Sequence, residues 1–144
     1  MLFDASDICR ATGLDTKHRL QSELARHEID LRPRRVGNSN FYDRSGLAVA
    51  YVLGQLRQWG VTTAKAALLL KWIDRDALEA ALTAFFEGAG EAALVGLPPW
   101  DWEFTDQFTG VFTSRESVVA ALSEADLIVV DVASYVSAKE RAEI

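Results

Sequence analysis

Glycine and proline cut the first ninety residues into short pieces, and this punctuation constrains the chain more than any other feature in it. Thr12-Gly13, Pro33, the run Gly37-Asn38-Ser39-Asn40, Gly60, and Gly88 with Gly90 are each a turn former or a helix stop. Helices of the length left between them are marginal alone in water, so they persist only by burying their apolar stripes against one another. Apolar residues make up 49% of the 144, enough to supply that shared core.

Each stop is matched by a start. Asp4 or Ser6 can accept from the free amides of a first helix running to about Ala11. Asp15 or Thr16 can open a second, with Leu20, Leu24 and either His27 or Ile29 as its apolar stripe and Lys17, His18, Gln21, Ser22 and Arg26 on the other faces. Residues 31–42 predict a hairpin-like loop. Asp43 caps a third helix through Leu47, Leu53 and Leu56 to Gln58, Thr62 or Thr63 a fourth reaching Ile73, and Asp74 a fifth through Leu78, Leu82 and Phe85.

Beyond Gly90 the texture changes. The stretch 94–102 is Pro-broken and aromatic and predicts irregular structure, while 102–112 allows one or two short strands. Thr113 and Glu116 match a capping box for a helix through Val118 and Leu122, and 127–132 has the β-branched run of a buried strand. The expected fold class is mainly α: a winged helix-turn-helix over residues 1–73, a connecting helix over 74–90, and a small acidic α/β appendage over 91–144. Strand 127–132 and the tail 136–144 are the candidate surface for self-association or a protein partner.

A formal net charge of −6 argues against nucleic acid when taken whole, but the charge is unevenly spread. Residues 1–59 carry nine basic side chains against seven acidic, whereas residues 60–144 carry six against fourteen. Within 16–44 there are seven basic residues and four acids, and both histidines fall there. A basic segment therefore sits inside an acidic protein.

Short helix, Gly turn, second helix with a polar exterior, then an Arg-bearing Gly/Asn hairpin is the chain order of a winged helix-turn-helix, whose second helix fits the major groove of about 12 Å. Residues 3–71 resemble the DNA-binding domain of the MerR-type regulators and the excisionase-like winged helices. The resemblance lies in Phe3, in Ala11-Thr12-Gly13-Leu14 at the turn, and in Lys17-His18-Arg19-Leu20 opening the second helix. It continues in Leu31-Arg32-Pro33-Arg34-Arg35 entering the wing, Phe41-Tyr42 leaving it, Gln58-Trp59-Gly60-Val61-Thr62, and Ala67-Leu68-Leu69-Leu70. The chain departs from the family at Asn40, where a basic residue is usual, and at Gly88 and Gly90, which end the fifth helix before it could become the family's long pairing helix.

The resemblance implies a transcriptional regulator of bacterial or phage type that reads double-stranded DNA. Candidate DNA-binding residues are Thr16, Lys17, His18, Arg19, Gln21 and Arg26 on the second helix, and Arg32, Arg34, Arg35, Asn38, Asn40 and Tyr42 on the wing. Arg19 and Gln21 suit guanine and adenine edges, the arginines suit phosphates, and the two asparagines serve first as turn formers. One winged module is small for tight specific binding, so a homodimer or higher oligomer is expected. An excisionase-like or small-terminase-like packaging factor is the alternative in the same class, and a protein-interaction adaptor using the same surface is the alternative in another.

Other chemistries lack their residues. Cys9 is the one cysteine, so no internal disulfide is possible, and with only His18 and His27 no usual zinc site can be assembled. No Gly-x-Ser-x-Gly or Walker-type motif occurs, and Asp101, Glu103 and Asp106 have no evident partner for acid–base work, so no catalytic residue, metal or cofactor is expected. Trp100 and Trp102 suit a plug between helical domain and appendage better than an effector pocket. Met1 to Asp7 is acidic rather than basic, and no apolar stretch approaches the roughly 18 residues needed to span a bilayer, so the expected location is cytoplasmic.

Overall fold

The described helices begin where a side-chain oxygen accepts from an amide of the first turn. The computed structural model describes residues 1–98, 109–122 and 127–142. In it α1 (Ala5–Thr12) is capped by Asp4, whose carboxylate accepts from the Asp7 amide while the Asp7 carboxylate accepts from the Asp4 amide. Thr16 caps α2 (Lys17–Arg26), Asp43 caps α3 (Arg44–Gln58), Thr62 caps α4 (Thr63–Leu70) and Asp74 caps α5 (Arg75–Phe86). Gly13, with φ of 76°, ends α1 in the left-handed conformation that glycine adopts without cost. Helix α4 stops at Leu70, short of the expected Ile73, and Ile73 is buried in the link to α5.

The expected hairpin is present as β1 (Arg34–Val36) and β2 (Ser39–Phe41), antiparallel, with Val36 opposite Ser39 around the two-residue turn Gly37-Asn38. Gly37 takes φ of 63°, as the first position of such a turn demands. The hairpin is tied to the start of the chain by reciprocal backbone bonds between Phe3 and Tyr42, of 2.7 and 2.8 Å.

Helix α3 is the axis of the protein. Ser45 to Ala50, Val52, Leu53 and Leu56 are all buried, because α1, α4, α5 and the last helix each lie against it. Helix α1 crosses so closely at Gly54 that a Cβ there would overlap the Ala11 carbonyl oxygen.

A second sheet has the order β4-β3-β5, antiparallel throughout, built from β3 (Leu94–Leu97), β4 (Gly110–Phe112) and β5 (Ile128–Asp131). Leu94–Leu97 therefore forms the central strand where the sequence predicted irregular structure. All four residues are buried, so the alternation that signals a strand is absent. Gly96 lies close under a neighbouring side chain: a Cβ would come within 2.7 Å of the Phe112 ring, which would have to shift. Helix α6 (Arg115–Leu122) starts one residue later than the expected box, with Ser114 Oγ rather than Thr113 accepting from the Ser117 amide. The expected strand at 127–132 is β5, shortened because Val132 opens α7 (Val132–Ala142).

One face of the tail packs onto the helical core. Val132, Ala133 and Val136 of α7 enter the same buried cluster as Leu53 and Leu56, together with Val95, Leu97 and Val130 of the sheet. Tyr135 stacks on Tyr51 at 3.9 Å between centroids. Glu140 accepts from both Nε and Nη2 of Arg44, at 2.6 and 3.2 Å, and the Arg44 guanidinium lies 3.7 Å from the Phe86 ring centre. The protein is mainly helical, with two small antiparallel sheets. Trp100 and Trp102, with Asp101, Glu103 and Asp106, lie outside the described residues.

Candidate nucleic-acid interface

Leu20 and Leu24 are buried on one side of α2, which puts His18, Arg19, Ser22, Ala25 and Arg26 on the opposite, exposed side. The helix is set by the turn before it. Thr12 Oγ1 donates to the Cys9 carbonyl and accepts from the Leu14 amide, Leu14 is buried, and Arg57 Nη1 donates to the Thr12 carbonyl at 2.8 Å from α3. The turn is thus fastened from both helices that flank the core.

Lys17 and Gln21, one turn apart, edge toward the hairpin and with Asn38, Ser39, Asn40 and Phe41 line a cleft of about 380 Å³. Four of the sequence candidates, Lys17, Gln21, Asn38 and Asn40, are brought together here from two separate elements. Arg35 stands opposite Asn40 in the hairpin register, exposed and with no ion-pair partner among the described residues.

The remaining candidates are placed differently. Thr16 is exposed, but its hydroxyl oxygen is already the cap of α2, accepting from the Arg19 amide at 3.0 Å. Arg19 reaches back to Asp15 at 3.4 Å as an exposed pair that holds loosely in water, and Arg26 reaches Glu23 at 3.5 Å, with the guanidinium exposed and the carboxylate largely covered. Arg34 alternates to the opposite face of the hairpin from Arg35 and lines another cleft with Asp43, Arg44 and Glu79. The guanidinium of Arg32 lies 3.5 Å from Glu79 and 3.9 Å from Asp76, so it is directed to α5 and not to the α2 cleft. Tyr42 must be corrected: it is 1% exposed, a core residue bridged to Phe3, and its ring cannot reach a ligand. An aromatic leaving a hairpin gives no sign in sequence of which side it faces.

Sequence reasoning missed Asp4 and Phe41 at the cleft. Asp4 is legible only as a cap, yet the backbone amide of Asp7 holds its carboxyl below the usual carboxylate range, so the cleft carries one negative charge beside Lys17. Cys9 is half-buried, and that burial pushes its thiol up, away from nucleophilic thiolate. His27 meets Glu23 at 3.1 Å while His18 is exposed, and among the described residues no three His, Cys, Asp or Glu side chains are grouped to hold a metal ion. No helix among the described residues is long and apolar enough to cross a membrane. No protein-family model matches the sequence, and no curated protein matches it.

Proposed function

We propose that residues 1–73 are a winged helix-turn-helix and that the chain is a sequence-specific DNA-binding regulator of bacterial or phage type. The observation that carries this reading is the cleft in which Lys17 and Gln21 of α2 meet Asn38 and Asn40 of the hairpin, with Arg35, which has no ion-pair partner among the described residues, opposite Asn40. In it α2 lies in the major groove, Gln21 and Arg19 read base edges, and Lys17 and Arg35 meet phosphates. The hairpin lies along the neighbouring backbone or minor groove.

One such module buries only about 600–1,000 Å² on DNA, so two copies acting on paired half-sites supply the affinity. The acidic remainder of the chain repels non-specific duplex and makes binding strongly salt-dependent. Selection of bound duplexes from a random pool tests all of this at once. The expected product is a short, two-fold symmetric motif; a pool that stays unenriched at low salt, with a protein partner retained instead, overturns the reading in favour of an adaptor.

A further inference from the structure

The link between α2 and the hairpin carries the strain of the fold. Glu28 and Arg32, with φ of 55° and 53°, are the two non-glycine residues of positive φ among the described residues, and they bracket the link. Such conformations persist only where the surroundings over-determine them. Part of that is local: Leu31 is buried, and Asp30 Oδ1 accepts from the Arg32 amide at 2.8 Å.

The rest comes from outside the first seventy residues. Arg75, at the start of α5, donates from Nη1 to the Asp30 carbonyl at 2.9 Å and from Nη2 to Ser45 Oγ at 3.0 Å. Ser45 is buried in the first turn of α3, beside the capping Asp43 carboxylate at 2.9 Å. One guanidinium thus fastens the middle of the strained link to the frame formed by α3 and α5. Glu79, one turn on, lies 3.5 Å from the guanidinium of Arg32 at its end, an exposed pair that adds little.

We infer that Arg75 is a positioning residue, which fixes the base of the hairpin relative to α2 and so sets the width of the cleft between them. The consequence for DNA rests on the function proposed above; the positioning itself does not. Stability alone gives little reason for an arginine here. Its Nε is buried with no protein partner among the described residues, and burial first, then the charge of Arg32, pulls its pKa below the ordinary value. A half-buried charge so incompletely satisfied is weak evidence for a role in stability alone.

The test compares amide hydrogen exchange in the full-length wild type, Arg75→Met and Arg75→Lys. In Arg75→Met the melting temperature stays near that of the wild type, while protection in the hairpin falls about tenfold and protection in α3 is kept. Arg75→Lys, which offers a single donor group in place of the fork, loses part of that protection. DNA affinity falls in the same order. Hairpin protection equal to the wild type in both variants overturns the inference, as does a loss spread evenly over α3 and the hairpin, which marks a merely structural residue. Selective loss of hairpin protection in a protein that binds no DNA keeps the positioning role and removes only the DNA reading.

Discussion

Two residues show how far a local rule reaches. Gly54 sits inside α3, where alanine would ordinarily favour the helix by about 1 kcal/mol. Here the added methyl would meet the Ala11 carbonyl, and overpacking of this kind costs about 1–3 kcal/mol. Gly54→Ala is therefore expected to lower the melting temperature despite the better helix former, and a thermal melt decides the sign. At Asp4 the rule works as written. Its folded pKa lies below the ordinary 3.8, so its contribution is fully present above that value and is lost as pH falls through the folded pKa. Asp4→Ala should cost about 1 kcal/mol at neutral pH, the usual worth of such a cap, and the gap between the two stability curves should close in acid below the ordinary value. Caps were legible because they act within three residues of chain. Gly54 and Tyr42 were not, because what each touches lies far away in sequence.

At the scale of elements, all five caps of α1 to α5 fall at or beside positions visible in the sequence, and the hairpin falls inside 31–42. What the sequence left undivided was the arginine cluster. Arg32, Arg34 and Arg35 look equivalent as a basic run, yet strand alternation and the acids of α5 send them three ways. Their effects on DNA should differ accordingly. Arg35→Ala is expected to weaken binding to all sequences and reduce the salt slope by about one unit. Arg32→Ala should leave the slope unchanged, since its charge is already matched by Glu79 and Asp76. Affinities measured over a salt series for both variants check the pair; equal slopes for the two would contradict the assignment. Strand β3 shows the opposite limit: a strand buried on both faces beside Pro98 has no period to detect, and only its neighbours β4 and β5 make it a strand.

Over the whole molecule the decisive fact is that the main buried cluster among the described residues runs from α1 to α7, with a smaller one of Ala92, Leu94 and Val118 beside it. Residues of α1 and of α7 belong to the same buried cluster, and the Arg44–Glu140 pair and the Tyr51–Tyr135 stack bind the last helix across the third. Leu97→Ala, at a fully buried position of β3, should cost about 2–5 kcal/mol and shift a single transition seen alike by far-ultraviolet circular dichroism and tryptophan fluorescence. Two separated transitions, with the helical signal unmoved, would mean that the last third folds on its own. The amino-acid sequence by itself determined where helices start and stop, where the hairpin turns, and that a basic segment lies within an acidic chain. Those properties depend on backbone conformation and charge within a few neighbouring residues. Only the tertiary structure decided that Arg32 turns to α5 and Arg34 to a separate cleft, that Tyr42 is core, that β3 is a strand, and that α7 closes on α3. Each of these depends on a partner tens of residues away, and burial by a distant partner leaves no local period to read.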